Sequence, residues 1–381
     1  MKVAQVTAFP ADPAQPHGGV EAVSVNLVRA LAKRPGLQVH VVTTDPACRT
    51  QETSLWDGAT IHRLPARSGK LLLYAVGAGR RQVSACLASL KPDVVHAHDT
   101  YGLMVKGLAL PRVFTVHGFI HEDTRFEGGA SAWLRAWLWR QIETAGWAEQ
   151  PHIVAISPYV RERLRGTATG VVHDIENPIS EECFAVRRKP SGDVVFTAAV
   201  ISERKNTLGL LKAVERLVRA GVKIHLRVAG RAVDEAYGRA VEDFVRRRNL
   251  AANVTLLGPI SAAQVRAELA SAAVFALLSF EEGAPMGIAE AMAAGVPVVT
   301  SNRCGMPYMV RHGETGFLVE PEDTEDTARS LQRILDDHEL AARMSDRARE
   351  LARDRFHPDR VAERTHAVYE RAVAEFHRTA R

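Results

Sequence analysis

Cysteine is scarce in this sequence, and its spacing excludes two common kinds of site. Four cysteines are scattered over the 381 residues, and none belongs to a Cys-x-x-Cys pair. Zinc sites and disulfide frameworks need cysteines in close or regular sets, so neither is indicated. We predict that Cys48, Cys86, Cys183 and Cys304 are buried thiols.

Long apolar runs are also missing. No stretch approaches the roughly 20 apolar residues that a helix needs to cross a bilayer. The opening MKVAQVTAFP is too short in its apolar part for a signal peptide, so a cytoplasmic location is expected.

A concentrated basic block is absent, and so is any nucleic-acid-binding motif. The net charge of +5 comes from arginines that are spread across many predicted helices. Such a charge suits an anionic ligand or an anionic membrane surface. No nucleic acid partner is predicted.

The dinucleotide-binding sequence G-x-G-x-x-G does not occur either, which disfavours a nicotinamide enzyme. Instead, Gly18 and Gly19 stand between the first predicted strand and the first predicted helix. Because they have no Cβ atom, they let the backbone approach a ligand closely, although an ordinary tight turn would also explain the pair.

The sequence contains an alternation of short β-branched runs and longer helical patterns. Its composition, 46% hydrophobic and 24% charged, is that of a soluble globular protein. Its length suggests two domains. The predicted strands are KVAQVTA, LQVHVVTT, DVVHAH, RVFTVH, HIVAIS, DVVFTAA, KIHLRVAG, NVTLLG, AVFALLS and VPVVTS. Runs that are apolar on both faces and separated by helices are typical of parallel sheets covered on both sides. We therefore predict an α/β protein with two doubly wound, Rossmann-like domains.

The predicted domain boundary is the polar stretch 179–193, which has no strong periodicity. The first domain is assigned to residues 1–185 and the second to 190–355, with a last helix at 358–381. Ligands of open α/β sheets bind beyond the carboxyl ends of the strands, so the site is expected in a cleft between the domains.

The segment EEGAPMGIAEAMAAGVPVV separates Glu282 and Glu290 by seven residues. Pro285 fits the first turn of a helix, so Glu282 is predicted to lie on a loop and Glu290 inside the helix. A loop that enters a helix presents unpaired N–H groups, which suit a phosphate, whereas the flanking carboxylates suit hydroxyl groups. The segment therefore predicts a site for a phosphate flanked by polyols.

Arg204 and Lys205 follow the strand DVVFTAA and precede a predicted helix. A cation pair at a helix N-terminus can clamp a diphosphate and stabilise the charge that develops as it leaves. Two solvated cations at a helix start are the ordinary alternative.

Histidines stand at the ends of two predicted strands. His117 ends RVFTVH, which places it at a carboxyl strand end, where a ligand is expected. His96 and His98 share one face of a strand and, with Asp99, have the arrangement of metal ligands.

The segment SAWLRAWLWRQIETAGW, which begins at Ser131, holds four of the five tryptophans. Trp133 and Trp137 are neighbours on a helix surface. Tryptophan and arginine are favoured at membrane surfaces, so the segment is a candidate for contact with a membrane or a lipid-linked acceptor. Packing in a core or between domains is the alternative.

Together these motifs resemble those of glycosyltransferase family 4, a family of retaining enzymes that includes sucrose synthase-like and bacterial mannosyl- and glucosyltransferases. The resemblance covers nearly the whole chain, and its motifs occur in the family's order: HGGVEAVSVNLVRALA, DVVHAHDTYG, FTVHG, ERKNTLGLLKAV, the Glu282-x7-Glu290 pattern with AMAAGVPVV, and GMPYMVRHGETGFLV. It implies the GT-B fold, in which two Rossmann-like domains face each other across a cleft and the last helix crosses back to the N-terminal domain.

The resemblance also implies a role for each domain and each site residue. The C-terminal domain would hold a nucleotide-diphosphate sugar and the N-terminal domain an acceptor. Glu290 would bind the ribose hydroxyls of the donor, Glu282 would bind hydroxyls of the transferred sugar, and His117 would lie beside that sugar. The expected catalytic residues are His117, Arg204, Lys205 and Glu282, and the expected donor-binding residues are Gly18, Gly19, Ala284, Pro285, Met286, Gly287 and Glu290. No metal or other cofactor is expected, because the family's His-x-His strand end commonly lacks one.

Three positions depart from the family pattern. Val200 stands where the family usually has its first arginine, and Arg204 is the candidate replacement. Ala284 to Met286 stand where many relatives have Phe-Gly-Leu, and Tyr308 stands where they have an acidic residue.

The expected function is transfer of a sugar from a nucleotide-diphosphate sugar to a hydroxyl group of a sugar or lipid-linked acceptor, with retention of configuration and without a metal. The family's commonest setting is bacterial polysaccharide or glycolipid assembly, which adds the inner face of the membrane to the expected cytoplasmic location. Two alternatives stay open. A sugar-nucleotide 2-epimerase has a related fold but consumes no acceptor, and a non-catalytic nucleotide-sugar-binding protein, which the three departures favour, shows no turnover.

Overall fold

The computed structural model describes residues 1–66, 71–126 and 132–379 of the chain. The chain divides into two compact units. The first unit comprises Met1–Pro178 and Pro358–Arg381, and the second comprises Ile179–His357. The division therefore lies at the beginning of the polar stretch 179–193.

The first unit contains an eight-stranded sheet with helices. Its strands are β1 (Lys2–Val6), β2 (Gln38–Asp45), β3 (Glu52–Trp56), β4 (Ala59–Pro65), β5 (Val94–His98), β6 (Arg112–Val116), β7 (His152–Ala155) and β8 (Val171–Asp174). Its helices are α1 (Gly19–Ala32), α2 (Leu71–Val76), α3 (Ala78–Leu90), α4 (Ile120–Phe126), α5 (Ala132–Trp147) and α6 (Pro158–Arg163), together with the last helix of the chain, α14 (Pro358–Thr379). The strand order is β3-β4-β2-β1-β5-β6-β7-β8.

One edge of this parallel sheet carries an additional, antiparallel strand that was not predicted. Strands β3 and β4 form an antiparallel hairpin. The hairpin turns at Asp57 and Gly58, whose φ angles are 48° and 84°. Positive φ at both central residues is what an Asp-Gly hairpin turn requires. Strand β3 carries exposed side chains, including Leu55, so its sequence lacks the apolar pattern of a buried parallel strand.

The second unit contains a six-stranded sheet in which all strand pairs are parallel. Its strands are β9 (Val194–Ala198), β10 (His225–Ala229), β11 (Val254–Gly258), β12 (Val274–Leu277), β13 (Val298–Ser301) and β14 (Gly316–Val319). Its helices are α7 (Glu181–Phe184), α8 (Thr207–Arg219), α9 (Glu235–Arg247), α10 (Ala262–Ser271), α11 (Met286–Ala294), α12 (Thr324–Asp336) and α13 (His338–Phe356). The order β11-β10-β9-β12-β13-β14 is the Rossmann order, which reverses direction between β9 and β12.

The last helix packs into the core of the first unit, as predicted. Val361, Val368 and Tyr369 of α14 are buried in a cluster that also contains Val3 of β1 and Val94 of β5. The Tyr369 hydroxyl accepts a hydrogen bond from Gln5 Nε2 at 2.5 Å. Both units are thus Rossmann-like, and the chain has the predicted two-domain architecture with a returning helix.

The cysteines agree with the prediction of buried thiols at three of four positions. Cys48, Cys86 and Cys183 are buried, whereas Cys304 is half-buried. Within residues 1–66, 71–126 and 132–379, no helix is long and apolar enough to cross a membrane.

Candidate functional site

In the second unit, the predicted site residues come together where the strand order reverses. Arg204 and Lys205 lie on the loop after β9, and Glu282 lies on the loop after β12. Arg204 Nη1 is 3.2 Å from Glu282 Oε1, and Lys205 Nζ makes a short ion pair with the same oxygen. Arg204 also donates to the Glu281 carbonyl at 2.7 Å. The two loops are joined by backbone as well, because Phe280 N–H donates to the Arg204 carbonyl at 2.8 Å.

The ionisation of Glu282 follows from this arrangement. Burial alone would raise the pKa of its carboxyl group, but Lys205 and Arg204 outweigh burial and hold the pKa below its usual value. Glu282 is therefore a carboxylate at neutral pH. It neutralises one of the two neighbouring cations, which leaves the cluster with an excess of positive charge for an anionic ligand.

Helix α11 begins beside this cluster. Pro285 is the N-cap, with φ −67° and ψ 122°, one position before the predicted first turn. Glu282 is on the loop and Glu290 is inside the helix, as predicted. The first N–H groups of a helix, here those of Met286 and Gly287, have no partner within the helix. A Cβ on Gly287 would lie 3.3 Å from the Ala198 carbonyl oxygen, so glycine lets the helix start pack closely on β9.

Glu290 is one turn further along α11 and differs sharply from Glu282. Burial raises its pKa to about 7, and Arg266 offsets this effect only in part. The Glu290 carboxyl group makes no hydrogen bond with any residue that the structure describes, and Arg266 acts on it only through its charge. A half-buried carboxyl group without a partner is costly, and hydroxyl donors from a ligand would relieve that cost.

A third loop, which follows β13, supports Glu282, and no local sequence pattern indicates this role. Gly305, after β13, donates its N–H to the Glu282 carbonyl at 2.8 Å. A Cβ at this position would lie 1.8 Å from the Gly283 carbonyl oxygen, so only glycine fits. The neighbouring Cys304 Sγ lies 2.9 Å from Glu281 Oε2. The motif GMPYMV thus positions the loop that carries Glu281 and Glu282.

In the first unit, Gly18 and Gly19 are placed at the start of α1, after β1. Gly18 is the N-cap, with extended backbone at φ −166°. Both residues are exposed, and a Cβ on either would meet nothing within 4 Å. The fold of the unit therefore gives no steric reason for glycine at these two positions.

His117 lies directly after β6, at the carboxyl end of the sheet. Its N–H donates to Asp99 Oδ1 at 3.0 Å, and its ring Nε2 is 2.8 Å from His98 Nδ1. Burial lowers the pKa of the ring. The charge of Asp99 and a hydrogen bond with the Asn177 side chain offset this effect in part. The other ring nitrogen, Nδ1, is buried.

His96 and His98 share a face of β5, as predicted, and their rings stack with centroids 4.3 Å apart. Each ring is engaged by protein groups. His96 lies between Tyr369 Oη and Thr115 Oγ1, and His98 lies between Gln5 Oε1 and His117. No three His, Cys, Asp or Glu side chains in the part of the chain that the structure describes could hold a metal ion together.

Comparison with known proteins agrees with this geometry. The profile "Glycosyl transferases group 1" matches residues 179–351, and "Glycosyltransferase Family 4" matches residues 17–182. A D-inositol 3-phosphate glycosyltransferase of Nocardioides is 30% identical, over 94% of this chain and 86% of its own length. The chain belongs to glycosyltransferase family 4.

Solved structures show the same fold for this glycosyltransferase. Sucrose-phosphate synthase from Thermosynechococcus elongatus has a TM-score of 0.82 at 20% identity, covering 98% of this chain and 99% of its own. HepE of Anabaena, in complex with UDP and glucose, has a TM-score of 0.74 at 16% identity, covering 97% and 99%. These similarities confirm the GT-B fold.

The three departures of this glycosyltransferase from its family's pattern lie on loops of the second unit. Val200 is half-buried just after β9, and the guanidinium of Arg204 lies at Glu282. Tyr308 is 42% exposed at the end of a short 3-10 helix, Met306–Tyr308. Ala284 is half-buried in the loop before α11. That Arg204 replaces the missing arginine stays a prediction.

The tryptophan segment of the glycosyltransferase divides into two parts. Trp147 is buried, donates to Thr167 Oγ1 at 3.1 Å and packs edge-on against Phe119. Trp133 and Trp137, by contrast, are 71% and 54% exposed. Ser131, with which the predicted segment begins, lies outside the described residues.

Proposed function

We propose that this glycosyltransferase transfers a sugar from a nucleotide-diphosphate sugar to an acceptor hydroxyl group, with retention of the anomeric configuration and without a metal ion. The second unit would bind the donor and the first unit the acceptor. The observation that carries the proposal is the cluster of Glu282, Arg204 and Lys205 beside the start of α11.

The cluster and the helix together match the chemistry of such a donor. The diphosphate is held by the N–H groups of Ala284, Met286 and Gly287 at the start of α11, where Pro285 sets the turn without donating, and by the neighbouring cations. Glu282 accepts hydrogen bonds from the transferred sugar. Glu290, which lacks a partner among the described residues, accepts them from the ribose. HepE, of the same fold, has been solved with UDP and glucose.

The leaving group accounts for the remaining chemistry. The bond between the sugar C1 and the β-phosphate oxygen breaks, and a bond from C1 to the acceptor oxygen forms on the same face. The acceptor proton passes to the departing phosphate oxygen. Arg204 and Lys205 stabilise the charge of the diphosphate, which is the work that a metal ion does in other transferases.

The acceptor is a sugar or a lipid-linked sugar in bacterial polysaccharide or glycolipid assembly. The support is the relationship to a D-inositol 3-phosphate glycosyltransferase, which is named for a polyol acceptor. The net charge of +5 favours an acceptor that carries phosphate.

The test is a screen of chelator-treated protein against UDP-, GDP- and ADP-sugars, followed by thermal shift and by release of nucleoside diphosphate. We expect one donor to raise the melting temperature and to release diphosphate slowly, faster with an acceptor. The anomeric coupling of the product, measured by NMR, should match that of the donor. Conversion of the donor into its epimer would support the isomerase, and stabilisation without release would support a binding protein. An absence of response to every donor would contradict the proposal.

We also propose that helix α5 contacts an anionic membrane surface, at the cytoplasmic face. Four exposed apolar residues, Trp133, Leu134, Trp137 and Leu138, lie on this helix. At 100° per residue they span an arc of about 140°, and the exposed Arg135 and Arg140 flank the arc on its two sides. An apolar face between cationic edges suits the interface of a bilayer that contains anionic lipids.

The membrane contact predicts a selective loss of binding. Wild-type protein should co-sediment with vesicles that contain phosphatidylglycerol, less strongly as salt increases, and only weakly with phosphatidylcholine alone. The double variant Trp133→Ser and Trp137→Ser should lose this binding. The control is Leu55→Ser, which removes an apolar side chain that is 84% exposed on β3. Equal sedimentation of the double variant and the control would show that α5 is not the contact.

A further inference from the structure

Three pairs of histidines join neighbouring parallel strands of the first unit with the same geometry. In each pair Nδ1 of the first ring faces Nε2 of the second, at 3.1 Å for His40 and His62, 2.8 Å for His98 and His117, and 3.2 Å for His152 and His173. The paired rings are stacked, with centroids 5.3, 5.1 and 5.4 Å apart. In every case the second histidine stands two residues beyond the strand partner of the first, so both rings lie on the same face of the sheet.

Two of these pairs lie away from the candidate site. One joins β2 to β4 through His40 and His62, and the other joins β7 to β8 through His152 and His173. A neutral imidazole has one N–H and one acceptor nitrogen, so a single hydrogen lies between the two facing nitrogens. When both rings are protonated, two N–H groups face each other and the hydrogen bond is lost. Each pair therefore holds its strands together only while at least one ring is neutral.

The pair between β2 and β4 has no suitable place for an added proton. His40 and His62 are each 7% exposed. Thr53 Oγ1 of β3 engages His62 Nδ1 at 3.3 Å, whereas His40 Nε2 is buried and meets no hydrogen-bond partner among the described residues. Burial lowers the pKa of both rings, and the charges of His62 and of Lys2 on β1 lower that of His40 further.

The pair between β7 and β8 faces the last helix and meets charges of both signs. His152 Nε2 lies 3.3 Å from Glu375 Oε2 of α14. Burial lowers the pKa of His152, which Glu375 opposes and Arg371 reinforces. Burial and the charges of His152, Arg371 and Arg161 lower the pKa of His173 to about 4, which Glu375 offsets only in part. Both pairs thus favour neutral rings in the folded chain.

The effect on stability follows from the ordinary histidine pKa of 6.5. Because the pKa values of these rings are lower in the folded state, the unfolded chain binds protons more tightly. The stability that depends on the neutral rings is complete above pH 6.5 and is lost as the pH falls towards the folded-state value, about 4 for His173. Glu290 acts with the opposite sign in the second unit, because its raised pKa makes protonation favour the folded state.

The strands that carry these pairs also hold other segments of the first unit. Arg63, next to His62 on β4, donates to the carbonyls of Phe9 at 3.1 Å and Pro10 at 2.5 Å, and so fixes the loop after β1. The chain beyond β8 leads to Asn177, whose side chain makes a hydrogen bond with the ring of His117. We propose that the two pairs form an acid-sensitive switch in the first unit: when the rings take up protons, β4 and β8 loosen from their neighbours and release the loop after β1 and the segment that holds His117.

The switch can be followed in the intact protein without a substrate. All five tryptophans lie in the first unit, so tryptophan fluorescence reports on that unit alone. Hydrogen exchange measured by mass spectrometry, corrected for its intrinsic dependence on pH, distinguishes the two units. Between about pH 7.5 and about pH 4.5 we expect loss of the native fluorescence and faster exchange in β4, β8 and the loop after β1, while the strands of the second unit stay protected. Unchanged fluorescence and exchange over this range would overturn the proposal.

A double variant tests the cause. His62→Gln and His173→Gln each place an uncharged amide where the ring Nε2 faced its partner, so one titrating ring is removed from each pair. We expect the midpoint of the fluorescence change to move to lower pH by about one unit. The control is His225→Gln on β10 of the second unit, where the ring bonds to Thr255 Oγ1 at 2.8 Å instead of to a histidine. The control should keep the wild-type midpoint, and a double variant with the wild-type midpoint would overturn the proposal.

Titration of the wild type gives an independent answer that does not depend on how well the double variant folds. The ring signals of the four histidines are followed by NMR as the pH is lowered. We expect the rings to stay neutral until the fluorescence changes and then to take up protons together. Separate protonation of each ring near pH 6.5, with the native fluorescence retained, would overturn the proposal.

Discussion

Replacement of Lys205 with alanine is expected to lower kcat by about 100- to 1,000-fold, the usual effect of removing one preorganised group that faces a developing charge. Lys205 is only 13% exposed and its ammonium group makes a short ion pair with Glu282. When the donor is bound, we expect this ammonium to lie at the diphosphate. Because the charge of the diphosphate grows as the glycosidic bond breaks, the loss should fall on kcat more than on the donor KM.

The matched control is Lys212→Ala. Lys212 is also a lysine of this loop–helix segment, in α8, but its side chain is exposed to solvent. Both variants should fold, which a thermal melt can check, and the control should keep wild-type turnover. Since Lys205 and Glu282 form one cluster, the double variant Lys205→Ala and Glu282→Ala should lose less than the sum of the two single losses, in free energy. Full turnover by Lys205→Ala would remove this lysine from the site.

The sequence predicts the parts of the fold that depend on local pattern. All ten strands named from β-branched apolar runs are present, because each lies in a parallel sheet and nearly all of them are buried, which their apolar composition shows. Four strands were missed. Strands β3 and β8 were missed because their residues are exposed or half-buried, and β4 was missed because polar residues interrupt its apolar run. Strand β14 was missed because it has only four residues. It begins with Gly316, where a Cβ would lie 2.0 Å from the Val298 carbonyl oxygen of the neighbouring strand.

The same distinction holds at the site. The placement of Glu282 on a loop and Glu290 in a helix follows from Pro285, which is a local signal. The hydrogen bond from Gly305 to the Glu282 carbonyl joins two loops, and no local sequence pattern predicts it. The hydrogen bond between Gln5 and Tyr369 is of still longer range, because it joins residues at opposite ends of the chain. Long-range hydrogen bonds of this kind follow from the assembled fold alone.

Glu290 combines a cost in stability with a gain in binding, and this leads to a second large effect. Its pKa is raised by burial from 4.5 to about 7, so the folded protein binds the proton more tightly than the unfolded chain. Stability is therefore lost as pH rises from about 4.5 to about 7, and the loss is complete above pH 7. A shift of this size corresponds to about 2 kcal/mol after allowance for partial exposure to solvent.

The variant Glu290→Gln removes that cost, because glutamine is neutral at every pH. We expect it to melt a few degrees above the wild type at pH 8 and to lose this advantage as the pH falls towards 4.5. Its affinity for nucleotide should fall by about 10- to 100-fold, since an amide cannot replace the two charged acceptor oxygens that bind the ribose. Glu242→Gln, on the exposed face of α9, is the control and should change neither quantity. Isothermal titration with nucleoside diphosphate and thermal melts across pH measure both effects. A variant that is more stable but binds nucleotide with normal affinity would show that Glu290 does not bind the ribose.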